Sequence, residues 1–443
     1  MQPSPMEQLT DAIIARGAQT VHVAIPDVDG GLRERRLPLS SVPAALGEAA
    51  TFCNVLHEWD VTDTVHGPGP FVGESIAVDP ASVRGYPFEP TAVWLLADFT
   101  GPHRVSSPRE LLKTQIARAA QLGFLPKAAF EFEWLVFDEQ AKSLREKRWS
   151  QPLAWAPDNR CWDAQSGAIN ADVVAAQQAM LAQADIGVFG LGMELGAGCM
   201  EATLLATDAL RAADDAAFFK LASRAFFRRR NQTACFMAQS DANAPGLSGH
   251  IHLSLQDPAG HNLFAAPANE LSLQARHFVG GVLKLLPQLA ALPLHTVNAY
   301  RRLSPGNWAP RTPTWSFGGY TTAIRAVSGL HPQARLEFRI PGADVNPWLG
   351  LAMFLGAGLW GIEHAVEPPS AVTGDGRTHT TPDLVALPHD LLSAARALHA
   401  SREAREIFGS AFIDPYVASR HHEFDSLRRA VSAEVKARDF DIA

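Results

Sequence analysis

AAFEFEWLVF, residues 128–137, places an acid at alternate positions within an otherwise apolar run. Side chains on a strand alternate faces with period two. Glu131 and Glu133 therefore share one face, and Phe130, Phe132 and Trp134 the other. The pattern recurs in HIHLSL at 250–255, with His250 and His252, and in ARLEFRIP at 334–341, with Arg335, Glu337 and Arg339. A half-solvated strand accounts for any one of these. Together they are harder to dismiss, because a solvent face usually mixes Thr, Ser, Lys and Gln. Clustered carboxylates repel and stay ionised only where cations neutralise them. Carboxylate oxygens with an occasional imidazole suit Mg²⁺ or Mn²⁺ better than zinc. Arginines beside them suit phosphate and carboxylate. ELGAGCME, residues 194–201, adds Glu194 and Glu201 across a glycine-containing turn. The residues alone point to a metal-lined channel for phosphoryl chemistry.

Composition narrows the class further. In 443 residues, 38 Lys and Arg face 46 Asp and Glu, a net charge of −8, and no five like charges run together. That argues against nucleic acid or an anionic membrane surface as partner. Apolar residues make up 47% and charged residues 19%, enough to fill the cores of one or two domains. The four cysteines form no CxxC pair, so neither a zinc site nor a disulfide framework is expected, and a reducing cytoplasm fits. The N-terminal stretch lacks a basic-then-apolar signal. The longest apolar stretch, 348–362, is broken by glycines and is too short to span a bilayer; it reads as a buried helix in a soluble protein.

TVHVAIPDVDGGLRERRLP, residues 20–38, reads as strand, turn and strand, and TAVWLLADF at 91–99 as a further strand. The first hundred residues thus form a small sheet with short helices. Beyond Gly101–Pro102, Ser107 is placed to cap a helix that has Pro108 first and Glu110 in its opening turn. Further helices are expected over 171–187, 208–231, 275–292 and much of 386–440. Strands and helices do not alternate regularly, so an α+β fold is expected rather than parallel βαβ units. The division expected is residues 1–103 and 104–443.

The order of motifs resembles the glutamine synthetase family. EFEWLVFD, ELGAGCME, SGHIHLSL, NAYRRLSPGNWAP (298–310) and ARLEFRIPGADVNPWL are similar, in sequence order, to five of its motifs. The resemblance covers most of the chain and is weakest over 40–90. It implies an N-terminal β-grasp domain and a catalytic domain whose curved antiparallel sheet forms a funnel flanked by helices. It also implies homo-oligomeric double rings of the dodecameric kind, with active sites between subunits. By the same resemblance Glu133, Glu194 and Glu201 hold one divalent ion, Mg²⁺ or Mn²⁺, and Glu131, His250 and Glu337 the second. His252, Ser254 and Arg335 match positions that contact ATP. Arg302 and Arg339 match those that bind the acid substrate, and Arg325 one that neutralises the transferred phosphate, so Arg325 joins the ATP contacts. The family reaction passes the γ-phosphoryl group of ATP to a carboxylate; an amine then attacks the acyl phosphate.

Several positions depart from the family pattern. Its flap glutamate, which handles ammonium, aligns with Trp308. Its ammonium-pocket segment, which the neighbouring subunit supplies, is replaced by TFCNVLHEWDVTD at 51–63. An indole suits an organic amine better than a small cation's compact anionic pocket, with Trp59 as a second wall and Asp60 or Asp63 as a replacement acid. An Asn-Arg pair is here Gly319-Tyr320, a substrate-facing asparagine is Leu247, and a loop glutamine is Cys199. Trp308, Tyr320 and Leu247 therefore join the expected substrate contacts. The leading expectation is a ligase joining the γ-carboxylate of glutamate to an amine other than ammonia. Two other readings stay open on the sequence alone: the same chemistry on a different carboxylate, and a catalytically silent ring-forming homologue.

Overall fold

Every residue of the strand Thr20–Pro26 (β1) is buried, although the sequence alternates only Val21, Val23 and Ile25. The computed structural model, which describes residues 5–47, 49–379 and 385–430, shows why. β1 runs antiparallel to Leu32–Pro38 (β2) and parallel to Ala92–Phe99 (β6), so it lies inside a sheet. Thr51–Cys53 (β3), Gly73–Val78 (β4) and Arg84–Gly85 (β5) complete that sheet, in the order β2-β1-β6-β4-β3 with β5 alongside β6. One face carries Val21, Val23, Ile25, Val93 and Leu95 onto Leu9 and Ile13 of the helix Pro5–Ala15. The other face sends Ala24, Trp94 and Leu96 into the main core. A strand buried on both faces reads as a continuous apolar run, which is what 92–99 supplies. The Asp27–Gly31 turn is held by Asp27 Oδ1, which accepts from the Asp29 and Gly31 amides at 3.1 and 2.7 Å. This mixed sheet with its helix is the β-grasp part of the expected α+β fold.

A second sheet follows. Its strands are Leu125–Phe137 (β7), Val188–Met193 (β8), Cys199–Leu204 (β9), Thr207–Asp208 (β10), Thr233–Cys235 (β11), Gly249–Gln256 (β12), Trp315–Phe317 (β13), Ile324–Val327 (β14) and Arg335–Phe338 (β15). Their order is β13-β14-β15-β12-β7-β9-β8, with β10 and β11 also on β7. Every pairing is antiparallel except β13 with β14. The curled sheet lays its apolar face on helices, where Phe132 stacks on Phe219 of the helix Ala209–Arg228 at 5.7 Å between ring centroids. The apolar run forms the buried helix Pro347–Glu363, capped by Asn346, whose Oδ1 accepts from the Trp348 and Leu349 amides. It crosses the helix Leu273–Leu289 so closely that a Cβ on Gly281 would lie 2.4 Å from the Gly361 Cα. Ser107 caps Pro108–Gln121 as expected, accepting from the Glu110 amide. The stretch expected over 386–440 forms Leu391–Ala400, Arg402–Phe408 and Ser410–Arg428; its positions 431–440 lie outside the described residues. Among the described residues no helix is long and apolar enough to cross a membrane.

Buried ion pairs join the two sheets' surroundings. Arg109 is wholly buried and reaches Asp79 at 2.6 Å, Asp98, and Asp214 of the helix Ala209–Arg228 at 2.7 Å. Arg420, near the far end of the chain, pairs with Asp29 in the first turn and with Glu423 at 2.7 Å.

Candidate active site

Strand register assembles the polar face directly. Glu133 on β7 pairs with Glu201 on β9, and Glu131 with His250 on β12. His252 pairs with Glu337 on β15, and Glu337 with Arg325 on β14. The period-two faces read from the sequence thus lie as neighbouring positions across five strands, while Phe130, Phe132 and Trp134 are fully buried behind them.

The acids fall into two groups. Ligating atoms of Glu133, Glu194 and Glu201 lie within 4.8 Å of one another, and so do those of Glu131, His252 and Glu337. Glu194 follows β8 in a turn whose Gly196 and Gly198 take φ of 112° and 70°, backbone that favours glycine. A Cβ on Gly198 would stand 2.4 Å from the Val136 carbonyl. Asn159 clamps the turn, donating from Nδ2 to the carbonyls of Glu194 and Gly196 at 2.6 and 2.9 Å. Beside it the Cys161 thiol donates to Glu194 Oε1 at 3.3 Å.

The two groups differ in how they are neutralised. Burial, then the neighbouring acids, pushes Glu201 up to about 9. Burial also raises Glu133 and Glu194. Glu194 Oε2 is buried with no hydrogen-bond partner among the described residues. Burial, Glu194 and the other acids push the Cys161 thiol up to about 12. Among the described residues no cationic side chain forms an ion pair with these three crowded carboxyls, and such a donor set is the chemistry a divalent cation fits. Around Glu131 and Glu337 burial also raises the acids, but neighbours outweigh it. Hydrogen bonds to His250 and His252 hold Glu131 well below its ordinary value. His252, His250 and Arg339 bring Glu337 to about 2. His250, pushed to about 4 by burial and then Arg339, is neutral at pH 7, as a metal-ligating imidazole must be.

His250 Nδ1 stands 2.9 Å from Glu131 Oε1 and 3.5 Å from Glu337. His252 Nε2 also stands 3.5 Å from Glu131, closer to that acid pair than its expected role at the nucleotide implied. Arg335 Nε donates to His252 Nδ1 at 3.1 Å. A cavity of about 290 Å³ opens beyond, lined by Glu131, His252, Ser254 and Arg335 together with Phe189 and Leu205. Larger cavities of about 460 and 440 Å³ lie elsewhere and contain none of the expected site residues.

Guanidiniums border the other end. Arg325 donates to Glu337 Oε2 at 2.7 Å, and Arg339 to Glu337 Oε1. Arg302 is buried and donates to the Ile340 carbonyl at 2.9 Å, while its Nε has no partner among the described residues. Burial lowers it to about 10, against the pull of the Glu133 charge. Tyr320 is half exposed, with Arg325 over its ring at 4.4 Å and Arg339 at 5.4 Å. Trp308 is 56% exposed, with Arg377 over its ring at 4.8 Å.

One expectation needs correction, and the loop that carries two others is tied down within its own chain. Leu247 has no accessible surface, its side chain lies in the apolar core, and its backbone groups bond Ala238 and Ala343. It therefore offers nothing to a substrate. Asp60 is occupied within its own loop: Oδ1 accepts from the Thr62 and Thr64 amides, and His422 meets Oδ2 at 3.0 Å. Its neighbour Trp59 lies under Arg33 at 4.5 Å. Thr203, which donates to Glu131 Oε2 at 3.0 Å, was not singled out from the sequence, nor were Asn159, Cys161, Phe189 and Leu205.

Comparison with known proteins completes the picture. The profile of the glutamine synthetase catalytic domain matches residues 105–437. A glutamate–isopropylamine ligase from a Pseudomonas species is 30% identical, with 98% of each chain covered. A gamma-glutamylethanolamide synthetase of Streptomyces coelicolor is 28% identical, covering 99% of this chain and 96% of its own. The solved ADP complex of GmaS superposes with a TM-score of 0.85 at 27% identity, over 98% of this chain and 99% of that one. Fold and site together define an ATP-dependent acid–amine ligase that works with divalent metal. The chain belongs to the glutamine synthetase family.

Proposed function

We propose that the protein joins the γ-carboxylate of glutamate to an organic amine other than ammonia, at the expense of ATP. One observation carries the reading: two acid groups fit for divalent cations stand in a family site whose flap presents the indole of Trp308 in place of a glutamate. The names of the isopropylamine and ethanolamide relatives support it.

Glu133, Glu194 and Glu201 would hold one ion, Mg²⁺ or Mn²⁺. Glu131, Glu337 and His250 would hold the other, with His252 facing the same acid pair. Bound there, such ions neutralise phosphate charge and hold the acceptor in line. The cavity lined by His252, Ser254 and Arg335 would take the nucleotide, with Phe189 and Leu205 as apolar walls for its base. Arg302 and Arg339 would receive the carboxylate of the acid, which supplies the acceptor that the Arg302 Nε lacks. Arg325 would spread its charge over the moving phosphoryl group. The γ-phosphoryl passes to the glutamate side-chain oxygen, the amine nitrogen attacks the acyl carbon, and phosphate leaves. The exposed indole of Trp308 and the ring of Tyr320 would contact the amine's tail.

The same reading divides the chain into a β-grasp domain over 1–103 and a catalytic domain over 104–443. It assembles subunits as a double ring, a dodecamer, so that the Trp59–Asp63 loop serves a neighbour's site. Incubation of the purified protein with ATP, Mg²⁺ or Mn²⁺, glutamate and a panel of amines tests the proposal, read as ADP and amide product by mass spectrometry. Organic amines should exceed ammonia; ammonia as best acceptor would overturn the specificity. Sedimentation velocity tests the ring.

A further inference from the structure

The rim that carries Trp308 already holds a guanidinium against the indole. Arg377 lies over the indole at 4.8 Å. Asp375 fixes it there, receiving Nε at 3.0 and 3.1 Å and Nη2 at 2.7 Å. The loop between them is pinned to the site wall, since the Gly376 amide donates to Thr321 Oγ1 at 2.8 Å and a Cβ on Gly376 would stand 2.5 Å from the Thr321 carbonyl. The adjacent Tyr320 carries Arg325 and Arg339 over its ring, and its carbonyl accepts from Arg339 Nε at 3.0 Å.

The aromatic faces that would attract an ammonium tail are therefore partly taken by guanidiniums. The acids nearby, Asp375 and Glu337, are bound by arginines as well. An attacking amine must lose its own proton, but the distal nitrogen of a diamine keeps its charge at neutral pH, as a lysine does. We propose that Arg377 is a specificity-determining residue that selects primary amines with uncharged tails and excludes α,ω-diamines. The inference rests on the proposed organic-amine reaction and names the chemistry of its acceptor.

The test compares kcat/KM for propylamine, 1,4-diaminobutane and ammonium in the full-length enzyme with ATP, Mg²⁺ and glutamate. Propylamine should exceed the diamine by about tenfold or more. Arg377→Gln should narrow that ratio about fivefold or more, through KM for the diamine. Arg377→Lys, which keeps the charge, should preserve it, and Asp375→Asn, which frees the guanidinium, should widen it. Thermal melts confirm that each variant is folded. A diamine equal to or better than propylamine in the wild type overturns the inference while leaving the organic-amine reaction standing, and so does a ratio unchanged in Arg377→Gln. Ammonium as the only acceptor overturns both.

Discussion

Trp308 is the side chain on which the acceptor's identity turns. Replacing it by glutamate restores an acid at the flap, and we expect kcat/KM for organic amines relative to ammonium to fall about tenfold or more, read from initial rates across the two. Glu133→Ala should lower ATP turnover by about a hundredfold or more without loss of fold, measured as ADP release alongside circular dichroism. Glu201 predicts a pH effect. Its folded value, about 9, lies above the ordinary value of 4.5, so the folded state binds the extra proton. In metal-free protein the contribution of Glu201 to stability should be fully present below about pH 4.5 and be lost progressively as pH rises toward 9. Glu201→Gln should flatten that slope by on the order of 1–3 kcal/mol, and Mn²⁺ should reverse it in the wild type alone, both read from melting curves.

At the scale of elements, the strands were legible because alternation has a single outcome: once one acid of β7 faces inward, the other must. His250 with Glu131, and Arg325 with Glu337, fell into register from the same rule. Loops carry no such period. Leu247 was misplaced because loop spacing does not say which way a side chain points, and the core takes a leucine readily. Asn159 and Cys161 gave no signal, since only tertiary folding carries them to the 194–198 turn. Asn159→Ala should loosen that turn and weaken Mn²⁺ binding about tenfold, measured by titration calorimetry. At the helix crossing, Gly281→Ala has no room beside Gly361 and should cost about 1–3 kcal/mol in denaturant unfolding.

Across the whole molecule, Arg109 neutralises acids from both parts of the structure. Removing one partner of a buried charge set leaves the others uncompensated. Arg109→Leu should therefore destabilise the fold by about 3–5 kcal/mol and split a single calorimetric transition into two. The sequence showed arginine there but not its partners, because Asp79, Asp98 and Asp214 belong to distant segments. The pairing of Arg420 with Asp29 reaches further still, spanning 391 residues along the chain. While the polypeptide is being made, Asp29 emerges long before its guanidinium partner exists. The edge of the first sheet must wait for the ribosome to deliver nearly everything else before that corner can lock.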